Sequence, residues 1–170
     1  MKITLAQSIN LLSFLKKRSY ELEAELFGIH TITIPKGETY IPPERTVEQV
    51  LEELTEIQKD ILELQELIHK TNMQYTVEWD GQNIPLIRAI ETAKVLRNQI
   101  HLYKRLGETK QREYYGGNVV MEMVALFNPS EYKKAAEKLS RQVELLSSRI
   151  DKVNYTVEME VPLADKYLDA

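Results

Sequence analysis

The chain has no cysteine. That excludes a disulfide framework, a thiol nucleophile, and any zinc or iron–sulfur site built on thiolates. It has no basic tract. With a formal net charge of −4 and a pI near 5.5, it lacks the electrostatic footprint of a nucleic-acid binder. No apolar run approaches the roughly 20 residues a membrane span needs. The first residues do not read as a signal peptide, because Lys16, Lys17 and Arg18 interrupt the apolar positions. The expectation is a cytoplasmic, soluble chain. Its three histidines, His30, His69 and His101, form no i,i+4 pair and no His-Glu-x-x-His motif. Walker A, dinucleotide and serine-nucleophile motifs are absent as well.

What is present is helical pattern. At 170 residues, 43% of them hydrophobic and 28% charged, the chain fits one globular domain spanning 1–170. Residues 4–27 carry Leu5, Leu12, Leu15, Leu22 and Leu26 at helical spacing, flanked by Ile9 and Leu11. Thr4 and Gln7 form a capping box at the start, and Gly28 reads as the stop. Residues 28–45 hold Pro35, Gly37, Pro42 and Pro43 and read as an irregular crossover, with Thr31–Ile34 as a short edge strand. Thr46 and Gln49 box the next helix. In it Val47, Leu54, Ile61 and Ile68 keep a seven-residue spacing, and Val50, Ile57 and Leu64 a second one. Leu51, Leu62 and Leu67 widen this face beyond a two-stranded seam. The third helix is expected to be capped by Asn83, with Pro85 in its first turn, and to end at Gly107. Val119–Phe127, apolar except for Glu122, reads as a strand covered on both faces. Asn128-Pro129-Ser130-Glu131 starts the last helix.

One stretch is written twice. Ile68-x-Lys70-x-Asn72 recurs as Ile150-x-Lys152-x-Asn154, and Tyr75-Thr76-Val77-Glu78 recurs as Tyr155-Thr156-Val157-Glu158 after a two-residue deletion. Asn tolerates the left-handed conformation of a helix C-cap, and Lys suits the negative end of the helix dipole, so each Lys-x-Asn reads as a helix end. Each Tyr-Thr-Val-Glu reads as a half-buried strand. The predicted fold is mainly α with some β: an antiparallel bundle of four long helices and a small sheet at one end. Repeat units span about 46–79 and 129–161, and the tail to Ala170 is expected to fray.

Two constellations carry what chemistry the sequence offers. Arg112 and Tyr114, beside Tyr115-Gly116-Gly117 in the polar loop 107–118, are candidates for ligand binding, as is His30 in the crossover. Glu78 and Glu158, the repeat-related strand carboxylates, together with Glu122, would hold a metal if their strands were neighbours. Two close carboxylates either bind a cation or raise one another's pKa. The cofactor is unknown; a divalent cation is the form suggested by those carboxylates.

The order of features resembles the septicolysin-like family of small bacterial proteins of uncharacterised function. The resemblance rests on the Met1-Lys2-x-x-x-Ala6 start, the Pro-rich crossover around Gly37-Glu38, and the helix ending Ile68-x-x-x-Asn72. Asp80-Gly81 before Ala89-Ile90, and Ile150-x-x-x-Asn154 before a strand, complete it. It implies a helix-rich, oligomeric protein with a little β structure, and it supplies no catalytic motif to map. The family name suggests a cytolysin, but nothing in the chain reads as a membrane-inserting basic amphipathic helix. The expectation is therefore a self-assembling, non-enzymatic homo-oligomer, motivated by three wide apolar helix faces. A small-molecule or metal-binding protein, or an enzyme, using loops 28–45 and 107–118 is the alternative. Membrane lysis ranks last.

Overall fold

The structure, a computed structural model, describes residues 1–117 and 119–168. Asn118, at the end of the expected polar loop, and Asp169–Ala170, of the expected frayed tail, lie outside the described residues. The chain is α+β, mainly helical, with three small antiparallel sheets among the described residues. It divides into two compact units, Met1–Asn72 with Asn154–Ala170, and Met73–Val153.

The first unit opens with strand β1 (Lys2–Thr4) and helix α1 (Leu5–Ile29). The Thr4–Gln7 capping box forms as the sequence predicts, the Gln7 N–H donating to Thr4 Oγ1 at 3.1 Å. Leu5, Leu11, Leu15 and Leu22 are buried, and Ser8 and Ser19 complete the stripe. Gly28 does not stop the helix. It lies inside α1, which ends at Ile29 with His30 as cap, because a glycine permits a left-handed turn without requiring one. Residues 31–45 contain no strand. Pro35 accepts a backbone hydrogen bond from Glu38 across Gly37, whose φ of +91° makes the turn.

Helix α2 (Val47–Gln74) starts on the Thr46–Gln49 box. Its heptad seam is filled within the chain: Val50, Leu54, Ile57, Leu64 and Ile68 are buried. Arg18 on α1 meets Glu53 on α2 at 2.9 Å, and Glu25 meets Arg45 just before α2 at 3.0 Å. Ascending α1 thus meets descending positions toward the start of α2, so the two helices run antiparallel. The unit closes with strand β6 (Glu158–Glu160), which pairs with β1 in the register Ile3↔Met159. A 3-10 turn (Pro162–Ala164) and a last helical turn, α5 (Asp165–Leu168), follow. Val157, Met159 and Val161 are buried, the alternation expected of a half-buried strand.

The second unit begins with a hairpin of β2 (Thr76–Trp79) and β3 (Gln82–Pro85). Asp80 (φ 51°) and Gly81 (φ 72°) make its two-residue turn, the geometry that suits strand twist. This hairpin displaces the predicted helix start. Asn83 is the register partner of Glu78 and so caps nothing, and helix α3 (Leu86–Gly107) begins just after Pro85. The Leu86 N–H donates to Tyr75 O at 2.7 Å, so strand pairing takes the backbone groups a cap would have used. Leu86, Ala89, Ala93 and Ile100 form its buried face.

A second hairpin, β4 (Arg112–Tyr115) with β5 (Met121–Val124), precedes helix α4 (Pro129–Thr156). Asn128 caps α4 as predicted: its Oδ1 accepts from the Ser130 N–H at 3.1 Å. Helices α3 and α4 also run antiparallel, with Arg97 bonded to Ser147 and Tyr103 edge-on to Tyr132.

Neither Asn72 nor Asn154 is a left-handed C-cap. Both lie two residues inside their helices, and among the described non-glycine residues only Asp80 has a positive φ. The second Tyr-Thr-Val-Glu is not a strand as the sequence predicts: Tyr155 and Thr156 end α4 and only Glu158 enters β6, which pairs with β1, whereas Thr76–Glu78 lie in β2, which pairs with β3.

Candidate interaction surface

The segment 119–127 departs furthest from expectation. A near-continuous apolar run predicts a strand buried on both faces. Only Met121–Val124 is a strand, and both its faces are exposed. Among the described residues its one strand partner is β4, in the register Arg112↔Val124, Glu113↔Met123, Tyr114↔Glu122 and Tyr115↔Met121. The Ala125 N–H donating to Gln111 O at 3.0 Å closes the base.

Side chains alternate across this ladder. One face carries Tyr114 and Val124, with Arg112 and Glu122 joined between them at 3.1 Å. The other carries Tyr115, Met121 and Met123, with the Tyr115 hydroxyl 3.8 Å from the Met123 sulfur. Glu113 stands at the base end of this second face, held by Lys110 at 2.6 Å. That hydrogen bond keeps the Glu113 carboxyl below its ordinary range and the Lys110 ammonium above its own. Val119 and Val120 before β5 are 70% and 69% exposed, and Leu126 after it is 98% exposed.

The residues singled out from sequence divide between the units. Arg112, Tyr114 and Glu122 share one hairpin face, where the Arg112 guanidinium is tied to the Glu122 carboxylate. Glu78 is bonded to Arg149 at 2.9 Å, and Arg149 also donates to the Glu78 carbonyl oxygen at 2.6 Å. Glu158 is exposed on β6 opposite Thr4. His30 caps α1, its Nδ1 2.9 Å from the Phe27 carbonyl oxygen, so that nitrogen carries the proton and donates. Glu78 and Glu158 do not share a sheet, and among the described residues no group of three or more His, Asp or Glu could hold a metal ion.

The first unit holds features that sequence reasoning missed. Glu53 lies between Arg18 and Arg45. The Arg18 hydrogen bond is the main reason its carboxyl is held low. The end of the described chain is anchored rather than frayed. Lys166 reaches Glu56 at 2.5 Å and Asp60 at 3.1 Å, and the Tyr167 hydroxyl donates to Asp60 at 2.6 Å. The Glu56 contact holds the Lys166 ammonium above its usual range, and burial, ahead of Asp60, raises the Tyr167 phenol. Tyr167 and Leu168 border a cleft of about 400 Å³ with Gln7, Asn10, Leu11 and Phe14. The advance signal was the aromatic–aliphatic pair Tyr167-Leu168 near the end of the chain. Finally, Asn72 Oδ1 and Asn154 Oδ1 are buried without a hydrogen-bond partner.

Comparison with known proteins adds kinship. Residues 14–159 match the model of a family of unknown function, DUF6847. The chain belongs to that family. A crystal structure described as a functionally unknown conserved protein from Corynebacterium diphtheriae shares the fold. The TM-score is 0.78 at 20% identity, over 94% of this chain and 100% of that one. No protein of curated function matches. Among the described residues no helix is long and apolar enough to cross a membrane.

Proposed function

We propose that this DUF6847 member is a self-assembling, non-catalytic helical protein whose exposed apolar surfaces are covered by further copies of itself. The observation that supports this most is the β4–β5 hairpin, an apolar segment exposed on both faces. Soluble monomers rarely leave a contiguous apolar patch beyond a few hundred Å² uncovered. The crossover supports the same reading, with Ile32, Ile34, Tyr40 and Ile41 exposed. The reading differs from the sequence expectation in location. Most of the α2 seam is occupied by the chain's own packing, with Leu51 and Leu62 left exposed beside it, so the hairpin and crossover take the larger share of assembly. A septicolysin-like identity, a cytoplasmic location and descent from a duplicated unit belong to the same proposal. In favour of duplication, α2 and α4 are both 28 residues long, and Asn72 and Asn154 sit at the same distance from their ends.

A second reading, a small-molecule-binding protein, is favoured by the cleft beside Phe14 and Tyr167, whose volume falls in the range of ligand sites. Native mass spectrometry on protein purified without chelator separates the two. Self-assembly predicts a discrete oligomer whose mass is a multiple of the chain. A strict monomer at micromolar concentration overturns it. Excess mass per subunit, removed by EDTA or denaturation, selects the binding reading.

A further inference from the structure

We infer that the cleft between α1 and the last helical turn, α5, binds a small uncharged amphiphile: an aromatic or branched aliphatic body with one hydroxyl or amide head. This rests on the small-molecule reading and names the class of ligand. It does not depend on self-assembly.

The walls are the first argument. Gln7, Asn10, Leu11 and Phe14 are spaced at three, four and seven residues, so they share one stripe of α1. Tyr167 and Leu168 of α5 border the other side of a volume of about 400 Å³, inside the range of roughly 300–1,000 Å³ found for ligand sites. Four of these six residues are aliphatic or aromatic. Phe14 and Leu168 are 53% and 47% exposed, so the cleft holds apolar surface that an occupant would remove from water.

The walls are also held in place without a ligand. The Thr4–Gln7 capping box fixes the start of α1. On the other side the Tyr167 hydroxyl donates to Asp60 at 2.6 Å, Lys166 Nζ lies 5.1 Å from the Tyr167 ring centroid, and the Phe14 ring stands edge-on at 6.4 Å. All of these residues belong to the first unit. A cleft formed in advance loses little side-chain freedom when it is filled.

Charge selects the class of ligand. The lining contains no Asp, Glu, Lys, Arg or His. The charged neighbours on α5 are already paired, Lys166 with Glu56 and Asp60, and Asp165 with the Met1 amino group at 3.2 Å. An ionic ligand would leave water without gaining a counter-charge, which is costly, whereas a neutral one would not. The polar part of the lining is two side-chain amides. Gln7 Oε1 accepts from the Thr4 N–H at 2.8 Å, which leaves its Nε2 hydrogens to donate, and the Asn10 amide can donate and accept. A hydroxyl or amide head satisfies both.

Three probes with one body make the test: 3-phenyl-1-propanol, 3-phenylpropanoate and 3-phenylpropylammonium, each titrated into the full chain and followed through backbone amide NMR shifts. A neutral molecule of about ten non-hydrogen atoms should bind with a Kd on the order of 1 mM. The alcohol should shift the amides of Gln7, Asn10, Leu11, Phe14, Tyr167 and Leu168 saturably, and both ions should bind at least ~10-fold more weakly. Phe14→Ala removes one wall and should weaken the alcohol ~10-fold or more. Tyr20→Ala, at another exposed position of α1, should leave binding unchanged. Phe14 is half exposed, so its replacement should leave the circular dichroism spectrum unaltered; if that variant misfolds, the wild-type shift map and the ranking of the three probes decide. An ion that binds at these amides as tightly as the alcohol overturns the uncharged class and leaves the small-molecule reading standing. No shift at these amides with any of the three probes overturns both, as do shifts that Phe14→Ala leaves unchanged.

Discussion

Asn72 and Asn154, one near the end of each 28-residue helix, bury the same side-chain atom, and in neither does that carbonyl oxygen meet a donor. Each such oxygen costs about 1–3 kcal/mol relative to a satisfied one. Asn72→Asp places a carboxylate where no donor waits. Desolvation raises its folded pKa above the unfolded value of about 3.9. An acid shifted upward loses its contribution as pH rises through the folded pKa, so the variant falls behind wild type above about pH 4. The expected deficit at pH 7 is about 2–3 kcal/mol, shrinking in acid, and urea midpoints at several pH values check it. Asn72→Leu, which removes the orphan oxygen, should cost less than Asn72→Asp at pH 7.

Glu53 predicts the opposite pH trend. Arg18, then Arg45, hold its carboxyl below the unfolded value of about 4.3. A depressed acid contributes stability above that value and loses it as pH falls through the folded pKa. Wild type should exceed Glu53→Gln by about 0.5–1 kcal/mol at pH 7, a modest figure because the group is partly exposed. The gap should close below about pH 4 in the same denaturation series.

Gly107 brings α3 against α4. A Cβ there would stand 3.0 Å from the Lys133 backbone nitrogen and 3.1 Å from its Cα. Alanine favours a helix over glycine by about 1 kcal/mol, but the clash is with backbone and cannot be relieved by a rotamer change. Gly107→Ala should therefore destabilise, by about 1–3 kcal/mol, visible as a lower Tm.

Asp60 anchors the tail. Asp60→Ala removes the acceptor of both Lys166 and Tyr167. Amide hydrogen-exchange protection at 165–168 should fall, with a stability loss of about 1 kcal/mol. Exchange that stays slow in the variant would mean the Phe14–Tyr167 ring contact, at 6.4 Å between centroids, holds the tail unaided.

What the sequence made legible was local. The caps at Thr4, Thr46 and Asn128 formed as expected because a side chain and a backbone group two or three residues away settle them. The α2 seam was legible because a seven-residue apolar spacing has one helical explanation. Ser8 and Ser19 were missed because their place in the core depends on close packing rather than hydrophobicity, and the Ser8 hydroxyl donates to Thr4 O. The 82–85 strand was hidden because Asn83 and Pro85 suit a helix start as well as a strand end. For the hairpin, composition predicted cover, while the chain itself leaves the segment exposed. Among the candidate residues, the Arg112–Glu122 contact was beyond sequence reach because it depends on a cross-strand register.

The β1–β6 pairing has a consequence for how the polypeptide is made. Ile3 waits for Met159, so almost the whole chain must leave the ribosome before that ladder can close. The Met73–Val153 unit is one uninterrupted stretch, complete at an earlier moment of translation. Synthesis therefore imposes an order: the inserted unit can consolidate while the first unit is still open, and the last strand ends the process by joining the first.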